Sequence, residues 1–368
     1  MGNRMARGTV LTYAAHGPHD QHEGDTHRAL ARTLAELKGF RFGGEWDASA
    51  LRAGPLYFVP GDTLLADEAR RLGIRSEEDL FGGVVPFPFV ATKSIVHPLV
   101  DRAAEAPQGW SHDFPHRVER ATLPGFAAFR VDDARRAGLR LLPRGRIRLK
   151  TGHGVGGHGQ HLAEDAAALE AALERLDLAR LARFGVVVEL DLADATTYSV
   201  GQVRAAGLQA SYCGTQHRTT DNQGNDAFGG SDLMVVRGGF DALATVPLDA
   251  GMRAAVEQAR LFDEATAAFP GFFASRRNYD ALRGRDREGR WLAGILEQSW
   301  RIGGASGAEI AALAAFHADP SLRVVHARST EVYGPAAIPP GAVVHYRGTD
   351  ARVGALAKYT VVEAYETA

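Results

Sequence analysis

The run from Leu292 to Gly307 constrains this chain more than any other. Read as a strand with period two, it sets Ile295, Glu297, Ser299 and Arg301 on one face and Leu296, Gln298, Trp300 and Ile302 on the other. A carboxylate, a hydroxyl and a guanidinium in one row of an apolar run are costly to bury without partners. A metal ion and an anion would serve. The preceding segment, Phe272 to Asp280, alternates as well, with Arg276, Asn278 and Asp280 on one side. Between them lies a charged, glycine-flanked turn, Gly284 to Arg290, so the pair reads as an antiparallel hairpin that brings Asp280 near Glu297. Two carboxylates with phosphate oxygens and water form an octahedral Mg²⁺ shell. The competing reading is a solvated hairpin in which Asp280 pairs with an arginine.

The chain has 368 residues, room for two or three domains. A hydrophobic content of 45% with 23% charged residues is ordinary for a globular protein. The net charge of −2 gives no basic field for nucleic acid. One cysteine, Cys213, excludes an internal disulfide framework and a thiolate zinc site, and fits a reducing cytoplasm. No apolar run has signal-peptide or membrane-span length, so a cytoplasmic protein without membrane contact is expected. Met1 and Met5 both serve as starts, and a homo-oligomer is left open.

Along the chain, Val10–Tyr13 and Pro55–Pro60 read as strands, Asp25–Leu37 and Leu65–Leu72 as helices, and His16 to His22 as a polar loop. Alternating strands and helices suggest a small α/β domain over roughly residues 8–90. Phe89 to Leu99 reads as a helix opening, Ala104 to Arg117 as loop, and Val131–Leu139 and Glu164–Leu176 as helices. Phe184 to Leu190 is a β-branched strand. Thr197–Val203 and Gln209–Tyr212 form a hairpin, Arg218–Gly230 a polar loop, and Met252–Phe269 and Ala308–Ala318 helices. Residues 322–368 hold about three short strands.

The second notable run follows the strand Arg146 to Lys150. Gly154-x-Gly156-x-x-Gly159 matches the letter of the dinucleotide fingerprint. A Rossmann first strand is apolar on both faces, whereas this one alternates Arg146, Ile147, Arg148, Leu149, Lys150. A glycine loop beyond a lysine-ended strand suits a flap over phosphates, because glycines let N–H groups approach oxygen closely. A surface loop with incidental glycines is the alternative. His153, His158 and His161 read as solvated loop histidines rather than metal ligands.

With these runs in hand, the chain resembles the ATP-grasp superfamily over roughly residues 85–318. It is similar, over most of its length, to an uncharacterised bacterial family with an ATP-grasp-like core, notably at Thr197–Tyr212 and Phe269–Glu309. The resemblance implies an α/β and α+β architecture: a Rossmann-like domain (1–90), an ATP-grasp-like domain (91–320, flap lobe about 125–190) with two α+β lobes gripping ATP, and a C-terminal β-rich extension (321–368). It implies that Lys93 and Lys150 contact phosphates, with Gly154, Gly156, Gly157 and Gly159 as the flap. Glu189 would face the adenine amino group, with the backbone of Leu190 and Leu192 beside it. Asp280, Glu297 and Ser299 would hold Mg²⁺, with Ser299 standing where Asn is usual. Arg301, Gly303 and Gly304 would meet substrate or γ-phosphate, and Arg276 and Arg277 would hold the substrate carboxylate.

The implied chemistry is carboxylate activation. MgATP phosphorylates a small-molecule carboxylate, and an amine, or a thiol, displaces phosphate from the acylphosphate while ADP leaves. Lys150 and Arg301 would be the catalytic cations, since electrostatics and positioning dominate phosphoryl transfer. Two other readings stand beside this one. One is a degenerate ATP-grasp protein that binds nucleotide without turnover, motivated by Ser299. The other is an NAD(P)-dependent oxidoreductase, motivated by the glycine spacing.

Overall fold

The computed structural model describes residues 7–15, 20–50, 54–152 and 159–364. Strand β1 (Thr9–Tyr13) is buried along most of its length, as a strand covered on both faces must be. Helix α1 (Gln21–Lys38) turns Leu30, Ala31, Leu34 and Ala35 inward. Gly39 ends it at φ +64°, a left-handed conformation that glycine adopts without strain. Strands β2 (Arg41–Glu45) and β3 (Leu56–Pro60) pair with β1 in parallel, in the order β2-β1-β3. Next come β4 (Leu64–Leu65), α2 (Ala66–Leu72) and β5 (Gly83–Val85). The α/β alternation expected of this region is present. His16, at the start of the polar loop, lies outside the described residues.

The helix expected from Phe89 to Leu99 is replaced by two 3-10 turns, Pro88–Ala91 and Lys93–Val96. Thr92 separates them in an extended conformation, and its hydroxyl accepts from the Ser94 N–H at 3.3 Å. His97 is extended too, as a residue before proline prefers to be. A short helix, α3 (Asp113–Val118), occupies the end of the stretch read as loop.

The next lobe is a four-stranded antiparallel sheet with helices packed on it. It comprises β6 (Gly125–Ala128), α4 (Val131–Leu141), β7 (Ile147–Thr151), β8 (Gln160–Ala163), α5 (Ala166–Leu173), α6 (Leu178–Phe184) and β9 (Val186–Leu190), with strand order β6-β9-β7-β8. The wet face read from Arg146 and Arg148 has a partner. Asp191 accepts from Arg146 Nε at 2.7 Å and from Arg148 Nε at 2.9 Å.

The rest of the chain builds one eight-stranded sheet. Its strands are β10 (Ala193–Ala205), β11 (Leu208–Thr220), β12 (Asp226–Arg237), β14 (Arg276–Arg285), β15 (Trp291–Ser299), β16 (Val324–Tyr333), β17 (Val343–Asp350) and β18 (Gly354–Ala364). The order is β15-β14-β10-β11-β12-β16-β18-β17. A short strand, β13 (Phe273–Ala274), pairs with β5 and ties this sheet to the N-terminal unit. The polar stretch 218–230 is mostly strand rather than loop: β11 and β12 run on as an exposed two-stranded arm, where hydrophilic side chains face water on both sides. The C-terminal strands join the main sheet through the β12–β16 pair. Helix α7 (Ala250–Ala265) covers one face of the sheet. Helix α8 (Ser306–Ala318) and α1 pack against the lower part of the other.

Register explains why that second face is half core and half cleft. One cross-strand row reads Gly214, Leu233, Ala327, Val362, and its apolar members join the core with α8. The next row reads Gln216, Ser231, Ser329, Thr360 and lines an open cleft. A two-residue step along each strand therefore takes the face from packing to solvent.

The strand read from Leu292 to Gly307 ends at Ser299, and it departs from strict alternation at one place. Asp280 pairs with Glu297, but Ala281 pairs with Ile295, leaving Leu296 as the extra residue of a β-bulge. Ile295 is thereby turned into the core while Glu297 stays at the cleft.

Among the described residues, no helix is long and apolar enough to cross a membrane. Beneath the cleft, Arg276 is 1% exposed and Glu309 of α8 is 0% exposed. They pair at 2.8 Å, and Tyr212 Oη donates to Glu309 at 2.5 Å. Removing one member of a buried pair strands the other charge. Glu309→Ala is therefore expected to cost about 3–5 kcal/mol, read as a lower urea midpoint with an unchanged denaturant slope.

Candidate active site

The cleft between the antiparallel lobe and the eight-stranded sheet holds about 1410 Å³. Two buried lysines define it. Lys93, in the second 3-10 turn, reaches Glu297 Oε2 at 2.6 Å. Lys150, near the end of β7, reaches Glu189 Oε1 at 2.7 Å and donates to the Leu296 carbonyl at 3.2 Å. That carbonyl belongs to the bulge residue, which falls out of the ladder and is free to face the opposite lobe. The two lysines and two glutamates thus form a chain of alternating charge across the cleft. Burial pushes the Lys150 ammonium down, with Glu189 opposing and Lys93 adding to the effect. Burial would raise Glu189, yet Lys150 and His97 together hold it at about 2.

Asp280 sits beside Glu297 as its cross-strand partner. Burial, and then the Glu297 charge, push its carboxyl up to about 6. Asn278 Nδ2 and Gln216 Nε2, each donating at 2.8 Å to Oδ1, oppose that rise. Glu297 is raised by burial as well, but Lys93 outweighs this and leaves it below the usual range. Two adjacent carboxylates, one of them reluctant to ionise, fit a divalent cation: its charge would relieve their repulsion. No group of three or more His, Cys, Asp and Glu gathers for a metal among the described residues. A cation held here would need oxygens from a ligand to complete its shell.

Ser299 already has one partner, which leaves its hydroxyl a single lone pair for a cation. Its hydroxyl accepts from Arg276 Nη1 at 3.1 Å, and the same guanidinium nitrogen donates to the Arg301 carbonyl at 2.6 Å. Arg276 also donates from Nε and Nη2 to Glu309. It touches the cleft wall, but its donors are engaged in holding the end of β15 onto α8. Arg277 points to the other face of its strand, where Nη1 meets Asp263 at 3.0 Å and the guanidinium lies over Phe272. It does not join the cleft residues.

Arg301, Gly303 and Gly304 line the cleft next to the start of α8. Arg301 Nη1 donates to the Ile302 carbonyl at 2.9 Å, and its Nε lies 4.0 Å from Asp62 of the N-terminal unit. A Cβ at Gly304 would stand 2.5 Å from the Phe228 ring, so glycine permits this close approach. Leu190 and Leu192 are buried where β9 ends, with the Leu190 N–H bonded to the Pro124 carbonyl at 3.0 Å. Of the flap glycines, Gly159 is described, at φ +72° beside Thr151. Gly154, Gly156 and Gly157, with His153 and His158, lie outside the described residues. After β7 the next described strand is β8, its antiparallel partner. A dinucleotide fingerprint requires a helix directly after the strand, so the oxidoreductase reading loses its basis.

Sequence reasoning missed His97. It is fully buried, with Nε2 3.0 Å from Glu189 Oε2. Its place directly before Pro98 and four residues after Lys93 was the available signal.

A family model described as "Protein of unknown function (DUF3182)" matches residues 10–360. No curated protein matches the chain. The chain is similar to N5-carboxyaminoimidazole ribonucleotide synthetase solved as its ADP complex, with a TM-score of 0.51 and 10% identity over 98% of this chain and 93% of that one. It is similar to biotin carboxylase from Campylobacter jejuni, solved as a β-γ-ATP complex, with a TM-score of 0.50 and 13% identity over 97% and 87% of the two chains. For phosphoribosylamine–glycine ligase from Thermotoga maritima the values are 0.50, 13%, 98% and 93%. These likenesses are of fold, and the fold is ATP-grasp.

The Asp280 shift carries a sign. Its folded pKa of about 6 lies above the ordinary carboxyl value. Its contribution to stability is therefore complete at low pH and is lost as pH rises through about 6. Asp280→Asn is expected to stabilise the ligand-free protein by roughly 1–3 kcal/mol at about pH 7.5, and to change little at about pH 4. Melting curves of the two proteins across that range measure this.

Proposed function

The chain belongs to this family of unknown function, and for it we propose an ATP-dependent ligase that activates a small-molecule carboxylate and transfers it to an amine or thiol. The observation that carries the reading is the convergence of Lys93, Lys150, Glu189, Asp280 and Glu297 on one cleft between two lobes. On this reading residues 91–320 form the nucleotide-gripping part and residues 1–90 and 321–368 flank it.

Lys93 and Lys150 bind the triphosphate as point charges. To do so they exchange a carboxylate partner for phosphate oxygen. Asp280 and Glu297 would hold a divalent cation, which would supply charge neutralisation for the triphosphate. Ser299 would be the weaker third ligand, because the Arg276 guanidinium sets a positive charge on its hydroxyl. Arg301, with the glycines before α8, would orient the carboxylate oxygen that attacks the γ-phosphorus. The products of that step are an acylphosphate and ADP. Attack by the amine then forms the amide bond, and phosphate leaves with the electron pair of the broken C–O bond. No protein nucleophile is needed, and the buried Cys213, whose thiol burial pushes up to about 12, is no candidate. The substrates would be small molecules rather than nucleic acid.

A second reading has its own observation. The Arg276 guanidinium on the Ser299 hydroxyl weakens one ligand position, which favours a nucleotide-binding protein without turnover. An ADP-release screen across amino acids and small carboxylic acids, each with and without amine acceptors, separates the two. Release above the ATP-only rate supports the ligase. Melting-temperature gain with MgATP, but no acid-dependent release, supports the binder. For the ligase, Glu297→Gln and Lys150→Met are each expected to reduce turnover by about 10²–10³, the scale for removing one preorganised electrostatic contact. Wild-type turnover in both variants would take them out of the site.

A further inference from the structure

His97 is fully buried behind Glu189, a residue of the cleft wall, and is seated with unusual tightness. The 3-10 turn at Lys93–Val96 sends Lys93 to Glu297 and, four residues after Lys93, His97 to Glu189. One short turn therefore serves both glutamates. Glu189 is ionised and can only accept, so the shared proton sits on His97 Nε2. Burial outweighs the pull of Glu189, and the Lys150 charge adds to it, so the imidazole is held toward its neutral form. Its Nδ1 has no hydrogen-bond partner among the described residues.

The ring lies over a gap in the side chains of β6. Gly125 is the cross-strand partner of Glu189, and a Cβ there would stand 2.7 Å from His97 Cε1 and 2.8 Å from both ring nitrogens. Pro98, the next residue, accepts from the Ala127 N–H at 2.8 Å. The imidazole thus has one seat, with strand backbone beneath it and its turn fastened to the same strand. Glu189 is caught from two sides: Lys150 on Oε1 and His97 on Oε2. Each oxygen keeps one lone pair that neither donor uses.

We propose that His97 is a positioning residue for base recognition, fixing Glu189 as an acceptor-only carboxylate so that the cleft takes a 6-amino purine and rejects a 6-oxo purine. The inference rests on the nucleotide reading above. A 6-amino group donates to the free lone pair of Glu189. A 6-oxo group brings a second acceptor against it, an unpaired contact in a buried place, and discrimination by such a mismatch is large. Lys150 alone cannot supply the orientation. Its ammonium is a flexible point charge that also bonds the Leu296 carbonyl across the cleft. The imidazole is rigid and seated.

Isothermal titration of the full chain with the non-hydrolysable analogues AMP-PNP and GMP-PNP, both with Mg²⁺, tests this. Wild type is expected to prefer AMP-PNP by about 100-fold or more. His97→Leu is expected to reduce that ratio about tenfold or more, chiefly through weaker AMP-PNP binding. His97→Gln, whose amide N–H reaches the same point as Nε2, is expected to keep the ratio within about threefold. An unchanged ratio in folded His97→Leu, or a parallel loss of both affinities, overturns the proposal, since a merely structural residue would do either. If His97→Leu does not fold, Gly125→Ala, which crowds the ring, replaces it under the same criterion. Equal binding of both analogues by wild type overturns the role of His97 and leaves the nucleotide reading standing. Binding of neither overturns both.

Discussion

A buried ammonium has to be answered by a negative group, and this molecule buries two. Lys93 and Lys150 are each about 95% or more shielded from solvent, and an isolated charge there would be lost by deprotonation or by opening of the lobes. Glu297 and Glu189 answer them. The arrangement of everything near the cleft follows. The 3-10 turns aim Lys93, β7 carries Lys150 to the lobe edge, and β9 and β15 bring the glutamates from different sheets. Within the protein, the cations and carboxylates neutralise one another. A triphosphate alone would displace the glutamates without compensating them, and a divalent cation alone would compete with Lys93. On the proposed reading, the two are therefore favoured as a complex.

The bulge at Leu296 gives that arrangement its depth. A regular ladder would put Glu297 and Ile295 on one face, and either the carboxylate would be drowned in the core or the isoleucine exposed. One extra residue reverses the phase. The same residue lends its carbonyl to Lys150, so the irregularity also contributes the hydrogen bond that spans the cleft. Behind it, the Arg276–Glu309 pair anchors the strand end to α8. A guanidinium that looked available for substrate is instead a structural tie.

Much of this was legible in the sequence because it depends on local period. Phe184 to Leu190 reads as a strand, and Val186–Leu190 is one. The hairpin around Ala206 and Gly207 turns where both residues have positive φ, and Asp280 meets Glu297 as the hairpin predicts. The features that were not legible depend on partners distant in sequence. Nothing near Arg276 announces Glu309, which lies on a helix beyond the hairpin. Phase reversal at Leu296 leaves no mark in composition, since Ile295 and Leu296 are equally apolar. The polar residues of the β11–β12 arm lack the apolar alternation by which strands are recognised. His97 reads as one more position of a helix from Phe89 to Leu99 until Gly125 and Glu189 are brought beside it.

The eight-stranded sheet is assembled from distant parts of the polypeptide, and its middle depends on its latest additions. Strand β12 is an interior strand because β16 pairs with it. During synthesis, β10, β11 and β12 emerge nearly ninety residues before β16 begins, and for that interval β12 is an open edge with apolar side chains at Leu233, Val235 and Val236. Such an edge is a template for pairing with other nascent chains. Chaperone dependence and inclusion-body formation in this protein should therefore track how fast the ribosome completes the stretch between β12 and β16.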